Sequence, residues 1–407
     1  MKGSAAVKKI IGILTAAVMI FAFTSGSYSA ADKTELKFNE GKFKILVLSD
    51  TQDDHHPAPD MVNLITKAIE ETDPDLIVFT GDLVEDSRAF DIGSDDEPFK
   101  EGVVVKKGGE IDRDKTYANV EAASKIVLDV FEASGVPFAI VQGNNDYKVG
   151  VTNEEWLEIY SRYSNSLAFD ESDDAEGRID YHLEIKGSDG SDKFNLWIMD
   201  TGRYGINDDQ INWYKKKSTE LTQNNAGTPV PAIAFQHIQA DDIGNLFTEC
   251  SPFDEGARAK GLKFYRLDPE RAAGYNFFAY APCEPTYEFK AWKEQGDVIG
   301  AYFGHQHIEG FTGTCDGIEM GFTYGCEMAK TGPYGYRLIT LDENNPAEYE
   351  NTLYTYEGSV KTGNARFEKQ DDTPYKDYGD SPLKYILGIG NFACSMISVI
   401  IDFFASL

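Results

Sequence analysis

A layered α/β fold is predicted by three features of this 407-residue chain. Apolar runs of strand length alternate with segments of helical periodicity, five of the runs end in acid, amide or histidine, and 42% of the residues are hydrophobic, enough for a sizeable core. The five are Lys44 to Ser49 before Asp50-Thr51-Gln52, Leu76 to Thr80 before Gly81-Asp82, Phe138 to Gln142 before Gly143-Asn144-Asn145-Asp146, Ala232 to Gln236 before His237, and Ala301 to Phe303 before Gly304-His305-Gln306-His307. Ligands of open α/β sheets collect beyond the carboxyl ends of the strands, so these ends mark a candidate site.

Residues 1–31 have the layout of a secretory signal peptide: Lys8 and Lys9, the apolar run Ile10 to Phe23, then the small residues Ser29-Ala30-Ala31. The mature chain is expected to begin near Asp32, outside the cytoplasm. Phe43 to Ser49 then reads as a strand. Pro59 to Glu71 reads as an amphipathic helix, with Met61, Leu64, Ile65, Ala68 and Ile69 on one face and proline in the first turn. Leu76 to Thr80 is a strand, residues 87–114 a loop insertion, Tyr117 to Ser134 a helix closed by Gly135 and Pro137, and Phe138 onward a strand. Strands at Tyr181 to Ile185 and Phe194 to Met199 and a helix at Asp208 to Leu221 follow; residues 238–297 form a second insertion. This order predicts layers around one sheet core, with a catalytic domain over residues 32–365, an acidic linker at 366–384 and an apolar tail at 385–407. Tyr385 to Ile401 carries no charge, which is near the lower limit of roughly 17 residues for a membrane-spanning helix. Gly388, Gly390 and Asn391 dilute it, so a membrane anchor and a docked interfacial helix both fit.

The formal net charge of −30 argues against nucleic acid as a partner, because that affinity is dominated by cationic contacts to phosphate. Surface solvation accounts for most of the acidity. Of the five cysteines, Cys315 with Cys326 and Cys250 with Cys283, leaving Cys394, is the simplest disulfide pairing in an oxidising compartment; buried free thiols are the alternative.

The chemistry centres on His305 and His307. Neutral imidazole is the commonest metal ligand, and two histidines one residue apart on a loop gain weight from the four other strand ends. Two divalent ions about 3.5–4 Å apart can bind both phosphate oxygens and a hydroxide. Such a pair needs a bridging group, and Asp82 is suited to it, with two oxygens and a charge that offsets the repulsion between cations. Asp50 and His307 can complete one ion, and Asn144, His237 and His305 the other. Mixed imidazole, carboxylate and amide donors suit Zn, Mn or Fe rather than Ca.

Taken in order, Asp50-x-Gln52, Gly81-Asp82, Gly143-Asn144-Asn145-Asp146, His237 and Gly304-His305-x-His307 resemble the motif set of the calcineurin-like metallophosphoesterases over residues 40–345. The run from Gly304 to Met328, with Gly310-Phe311, Asp316-Gly317-Ile318 and Tyr324-Gly325, is most similar to the purple-acid-phosphatase-like branch. The resemblance implies a central β-sandwich flanked by helices, a dinuclear site at the strand ends, and hydrolysis of a phosphate mono- or diester by a metal-bound hydroxide. Two residues depart from the family pattern. Gln52 stands where the family has a histidine ligand, and its carbonyl oxygen ligates more weakly. Asn145 stands where the family has the histidine thought to protonate the leaving group, so Asn145 is expected to orient substrate; Asp146 is adjacent to orient an imidazole placed there. Glu85 occupies the position of the tyrosine of purple enzymes, so no purple iron–tyrosinate centre is expected. His55-His56 are candidate substitute donors, Arg203 a candidate phosphate clamp, and His182 a strand residue. The alternative function is a metal-loaded, slow or inactive binding or scaffold protein on the same fold.

Overall fold

The computed structural model describes residues 34–370, apart from residues 55, 85–96, 99–102, 107, 173 and 329–331. The N-terminal segment 1–31, the tail 385–407, most of the linker, His55, Glu85 and Cys394 lie outside the described residues.

Instead of one sheet, two large sheets share the core. One has six strands in the order Arg366–Lys369, Glu350–Glu357, Gly335–Asp342, Lys42–Leu48, Leu76–Phe79 and Phe138–Ile140, the last three parallel. The other has eight, in the order Leu36–Lys37, Tyr181–Lys186, Asp192–Met199, Ala232–Gln236, Val298–Phe303, Ile318–Phe322, Gly310–Cys315 and Ala272–Tyr275, with four central parallel strands. Successive side chains of a strand point to opposite faces, and the eight-stranded sheet uses both. Leu196, Ile198, Ile233, Phe235 and Tyr302 join one apolar core with Ile45, Val47, Ile77 and Phe79 of the six-stranded sheet. Their neighbours Trp197, Met199, Ala232, Ala234, Ala301 and Phe303 build a second core with the helices on that side. Strands buried on both faces read as continuous apolar runs, which is why sequence periodicity does not count the sheets.

Five α-helices are described: α1 Pro59–Thr72, α2 Arg113–Ser134, α3 Asn153–Tyr160, α4 Asp208–Asn224 and α5 Tyr287–Gln295. In α1, Met61, Leu64, Ile65 and Ala68 are fully buried, the first three each worth roughly 1.5–3 kcal/mol of transfer. α2 starts four residues before the expected Tyr117 because the Asp112 side chain caps it, accepting from Lys115 N. α3 lies outside the sequence expectations, although Thr152 and Glu155 form a capping box at its start. α4 and α5 contribute Tyr214, Leu221, Phe289 and Trp292 to the second core.

Both insertions hold regular structure among their described residues. Glu97–Pro98 pairs with Val104–Val105, and residues 238–297 hold a 3-10 helix, Asp241–Leu246, a three-stranded sheet, Phe247–Glu249, Arg258–Lys260 and Lys263–Leu267, the edge strand Ala272–Tyr275, and α5. At the C-terminal end the six-stranded sheet takes in Arg366–Lys369, so the fold runs on into the expected linker. No helix among the described residues is long and apolar enough to cross a membrane.

The four described cysteines are free thiols, which replaces the expected bridges. Cys315 lies opposite Ile318 at the far end of a hairpin. Cys326 lies at the other end, its N–H on Ser49 O, beyond a five-residue strand rising about 3.3 Å per residue. A disulfide needs Cα atoms within about 7 Å.

Candidate metal centre

All five predicted strand ends converge at the same edge of the two sheets, and the backbone there is held out of its relaxed range. Asp50, Gln52, Asp82 and His305 have φ values of 50°, 38°, 57° and 69°. A left-handed conformation costs a non-glycine residue roughly 1–2 kcal/mol, a cost borne here by four site residues. The glycines of the motifs allow close approach: a Cβ on Gly143 would lie 2.1 Å from Asp82 N, and one on Gly304 2.1 Å from Ser49 Oγ. The chain can therefore pass directly behind Asp50 and Asp82.

Asp82 is at the centre. Its Oδ1 accepts from Asn145 N at 2.8 Å and faces His237 Nε2 at 3.3 Å. Oδ2 accepts from Gln52 Nε2 at 2.6 Å and from Asn145 Nδ2 at 2.8 Å. Donor atoms of Asp82, His237 and His305 lie within 4.8 Å of one another, as do those of Asp50, Asp82 and His307. Asp82 thus belongs to both groups. Asn144 adjoins the first, its Oδ1 3.0 Å from His237 Nε2. Gln52 is placed against Asp82 through its amide nitrogen, a donor contact rather than the carbonyl contact expected of a ligand.

Both flanking imidazoles are oriented through their second nitrogen. His237 Nδ1 lies 2.8 Å from Thr80 O, so it carries the proton and Nε2 faces Asp82. His307 Nδ1 is hydrogen-bonded to the Glu327 carboxylate, and its Nε2 lies 3.4 Å from Asp50 Oδ1. Metal-ligating histidines are commonly held in this way, by a carbonyl or carboxylate on the far nitrogen. Asp50 Oδ2 accepts from Ser49 Oγ and, at 3.0 Å, from His305 N, whereas the buried Oδ1 accepts no hydrogen bond. A buried carboxylate oxygen in that state fits a cation.

The electrostatics agree with that fit. Burial opposes ionisation of Asp82, but the charge and hydrogen bond of His237, with those from Asn145 and Gln52, reverse this and hold it at about 2. Burial disfavours a charged His237, yet Asp82 raises it to about 9. His305, half-buried beside His237, is pushed down to about 4 by desolvation and the His237 charge. Asp82 thus calls for a positive charge beside it, which a divalent cation supplies with His237 neutral.

Three residues take places the sequence does not indicate. Asp146 accepts from the backbone N–H groups of Gly143, Asp82, Leu83 and Val84, at 2.8–3.3 Å. It fastens the second motif to the third from beneath the site, so the expected role of orienting a group at position 145 does not hold. Glu327, absent from the predicted set, is buried behind His307. Lys148 donates from Nζ to Asn145 Oδ1 at 2.7 Å. Among the other candidates, His56 is exposed, Arg203 donates to Tyr147 O at 2.9 Å, and His182 lies beside Glu171 in the strand Tyr181–Lys186. Replacing Glu327 by Gln is expected to weaken metal binding by about 10–100-fold, the usual effect of losing an outer partner of a ligating histidine. Chelator competition would show it, and unchanged affinity would remove Glu327 from the site.

A two-sheet α/β fold that gathers carboxylates and imidazoles in two groups around one shared aspartate has the donor set of a dinuclear metal centre. Residues 43–309 match the calcineurin-like phosphoesterase family, and the chain belongs to it. Its relatives include the probable inactive purple acid phosphatase 14 of Arabidopsis thaliana, 24% identical over 87% of this chain and 88% of the relative. Another is the probable inactive purple acid phosphatase 29 of the same plant, 23% identical over 78% of this chain and 81% of the relative. These names agree with the resemblance to the purple-acid-phosphatase-like branch. Among solved structures, a dimetal phosphatase from Danio rerio is 12% identical with a TM-score of 0.43, covering 81% of this chain and 99% of that one. GAP50, the anchor in the inner membrane complex of Plasmodium, is 13% identical with a TM-score of 0.42, covering 86% and 95%.

Proposed function

We propose that the chain is a secreted, metal-dependent phosphoesterase acting on phosphate mono- or diesters. The observation that carries this reading is the sharing of Asp82 between two groups of metal-ligand atoms. Asp50, Asp82, Asn144, His237, His305 and His307 would hold two divalent ions of the Zn, Mn or Fe type, and Gln52 would join them by turning its amide so that the carbonyl oxygen faces the site. When bound, such a pair supplies Lewis acidity and an activated water for in-line displacement.

The protein's own part is positional. Thr80 O and Glu327 fix the His237 and His307 rings, Asp146 locks two motif backbones together, and Asn145 bonds Asp82 through both its N–H and its amide, presenting no acidic proton to a leaving group. Secretion rests on the layout of residues 1–31, and any membrane association on the tail at 385–407.

A specific observation favours a second reading. With asparagine at position 145 and relatives named as probable inactive phosphatases, the fold could serve as a metal-loaded binding protein. Turnover of aryl and alkyl phosphate mono- and diesters and of pyrophosphate, with Mn or Zn supplied, separates the two. Hydrolysis lost on chelation supports the enzyme. Two bound ions with no turnover of any ester would leave only the binding protein.

A further inference from the structure

We propose that Lys148 is the residue through which this chain binds the phosphoryl group of its ligand, its ammonium contacting a phosphate oxygen at the mouth of the metal centre. The inference rests on the reading of the site as a phosphoester site and adds a residue to it.

Lys148 and Asn145 belong to one turn, closed by the Lys148 N–H on Asn145 O at 2.8 Å. The same turn returns the lysine head to the asparagine side chain, with Nζ 2.7 Å from Asn145 Oδ1. Asn145 Nδ2 in turn lies 2.8 Å from Asp82 Oδ2. The lysine head therefore stands one side chain away from the shared aspartate, on a half-buried residue.

The need for such a charge follows from the surroundings. Asp50, Asp82 and Glu327 crowd the site, and the chain as a whole carries −30. A phosphate dianion approaching this surface is repelled except where cations stand, so beside the two ions of the proposed centre a fixed lysine adds a further attractive contact. Lysine is a point-charge phosphate binder with three donors on a flexible stem, and Asn145 holds that stem at the site. His56, the other candidate beside the first motif, is exposed, and its backbone N–H donates to Asp54 Oδ1.

A bracing role for Lys148, in which it merely props the Asn145 amide, predicts something different, and phosphate binding distinguishes the two. Inorganic phosphate is titrated calorimetrically into metal-loaded wild type, Lys148→Met and Lys148→Arg, with melting temperature and metal content measured on each. Lys148→Met is expected to weaken phosphate by about 10–100-fold, the range of a charge-assisted hydrogen bond, with melting temperature and metal content unchanged. Lys148→Arg is expected to restore most of the affinity. Equal phosphate affinity in wild type and Lys148→Met overturns the inference, as does a loss in Lys148→Met that merely follows a loss of metal. If wild type hydrolyses nothing but binds phosphate through Lys148, the enzymatic reading falls and this one stands. If wild type hydrolyses esters and Lys148→Met binds phosphate normally, this inference alone falls.

Discussion

Asp82→Asn is expected to empty both halves of the metal centre and to abolish hydrolysis. Asp82 contributes to both groups of ligand atoms, and its charge is what draws a cation to His237 on one side and offsets two cations held close together. The substitution keeps the shape of the side chain; its one oxygen can keep the bond from Asn145 N, and Gln52 can turn its amide to set an oxygen against the new nitrogen, so the fold should persist. The effect on metal affinity should exceed the roughly 10–100-fold caused by losing an outer partner of a ligand. His307→Ala, which touches only the Asp50 group, should weaken one ion more than the other.

Asn145→His is the second large effect, and it depends on the leaving group. General acid catalysis contributes roughly 10²–10⁴-fold, about 3–5 kcal/mol of barrier, and it matters most when the departing oxygen is basic. The wild type should therefore prefer aryl esters and pyrophosphate to alkyl phosphates. Asn145→His should raise the rate on alkyl esters far more than on aryl ones. The gain is expected near the low end of the range, because the Asp146 carboxylate is engaged by four backbone N–H groups and cannot orient an imidazole at position 145. Alkyl and aryl esters cleaved equally well by the wild type would show that another group supplies the proton.

The sequence makes the ends of the strands legible because each is a local event. An apolar run, a glycine and a polar ligand residue lie within a few positions, and a strand that must be buried on both faces permits little else. Asp50, Asp82, Asn144, His237, His305 and His307 are all found this way, and the structure brings them together. The missed residues depend on contacts between distant segments. Glu327 meets His307 because the hairpin of Gly310–Cys315 and Ile318–Phe322 folds the chain back, so that Gly325 N reaches His307 O at 2.7 Å. The turn was visible in Asp316-Gly317, both with positive φ, and counting back along the hairpin would have placed Glu327 near the histidines. Asp146 was visible as a residue, but its task of collecting backbone N–H groups from residues 82–84 is set by the packing of two loops more than sixty positions apart. The same limit hid the second sheet from periodicity, and the β-sandwich implied by the family resemblance is what agrees with the two sheets.

The most direct test of a two-ion centre organised by Asp82 is metal stoichiometry. Purified wild type and Asp82→Asn are saturated with Mn or Zn, desalted, and analysed for ions per chain, with circular dichroism to confirm that both are folded. Two ions per wild-type chain and neither retained by folded Asp82→Asn is the predicted result. Two ions retained by Asp82→Asn, or fewer than two in the wild type, would contradict it.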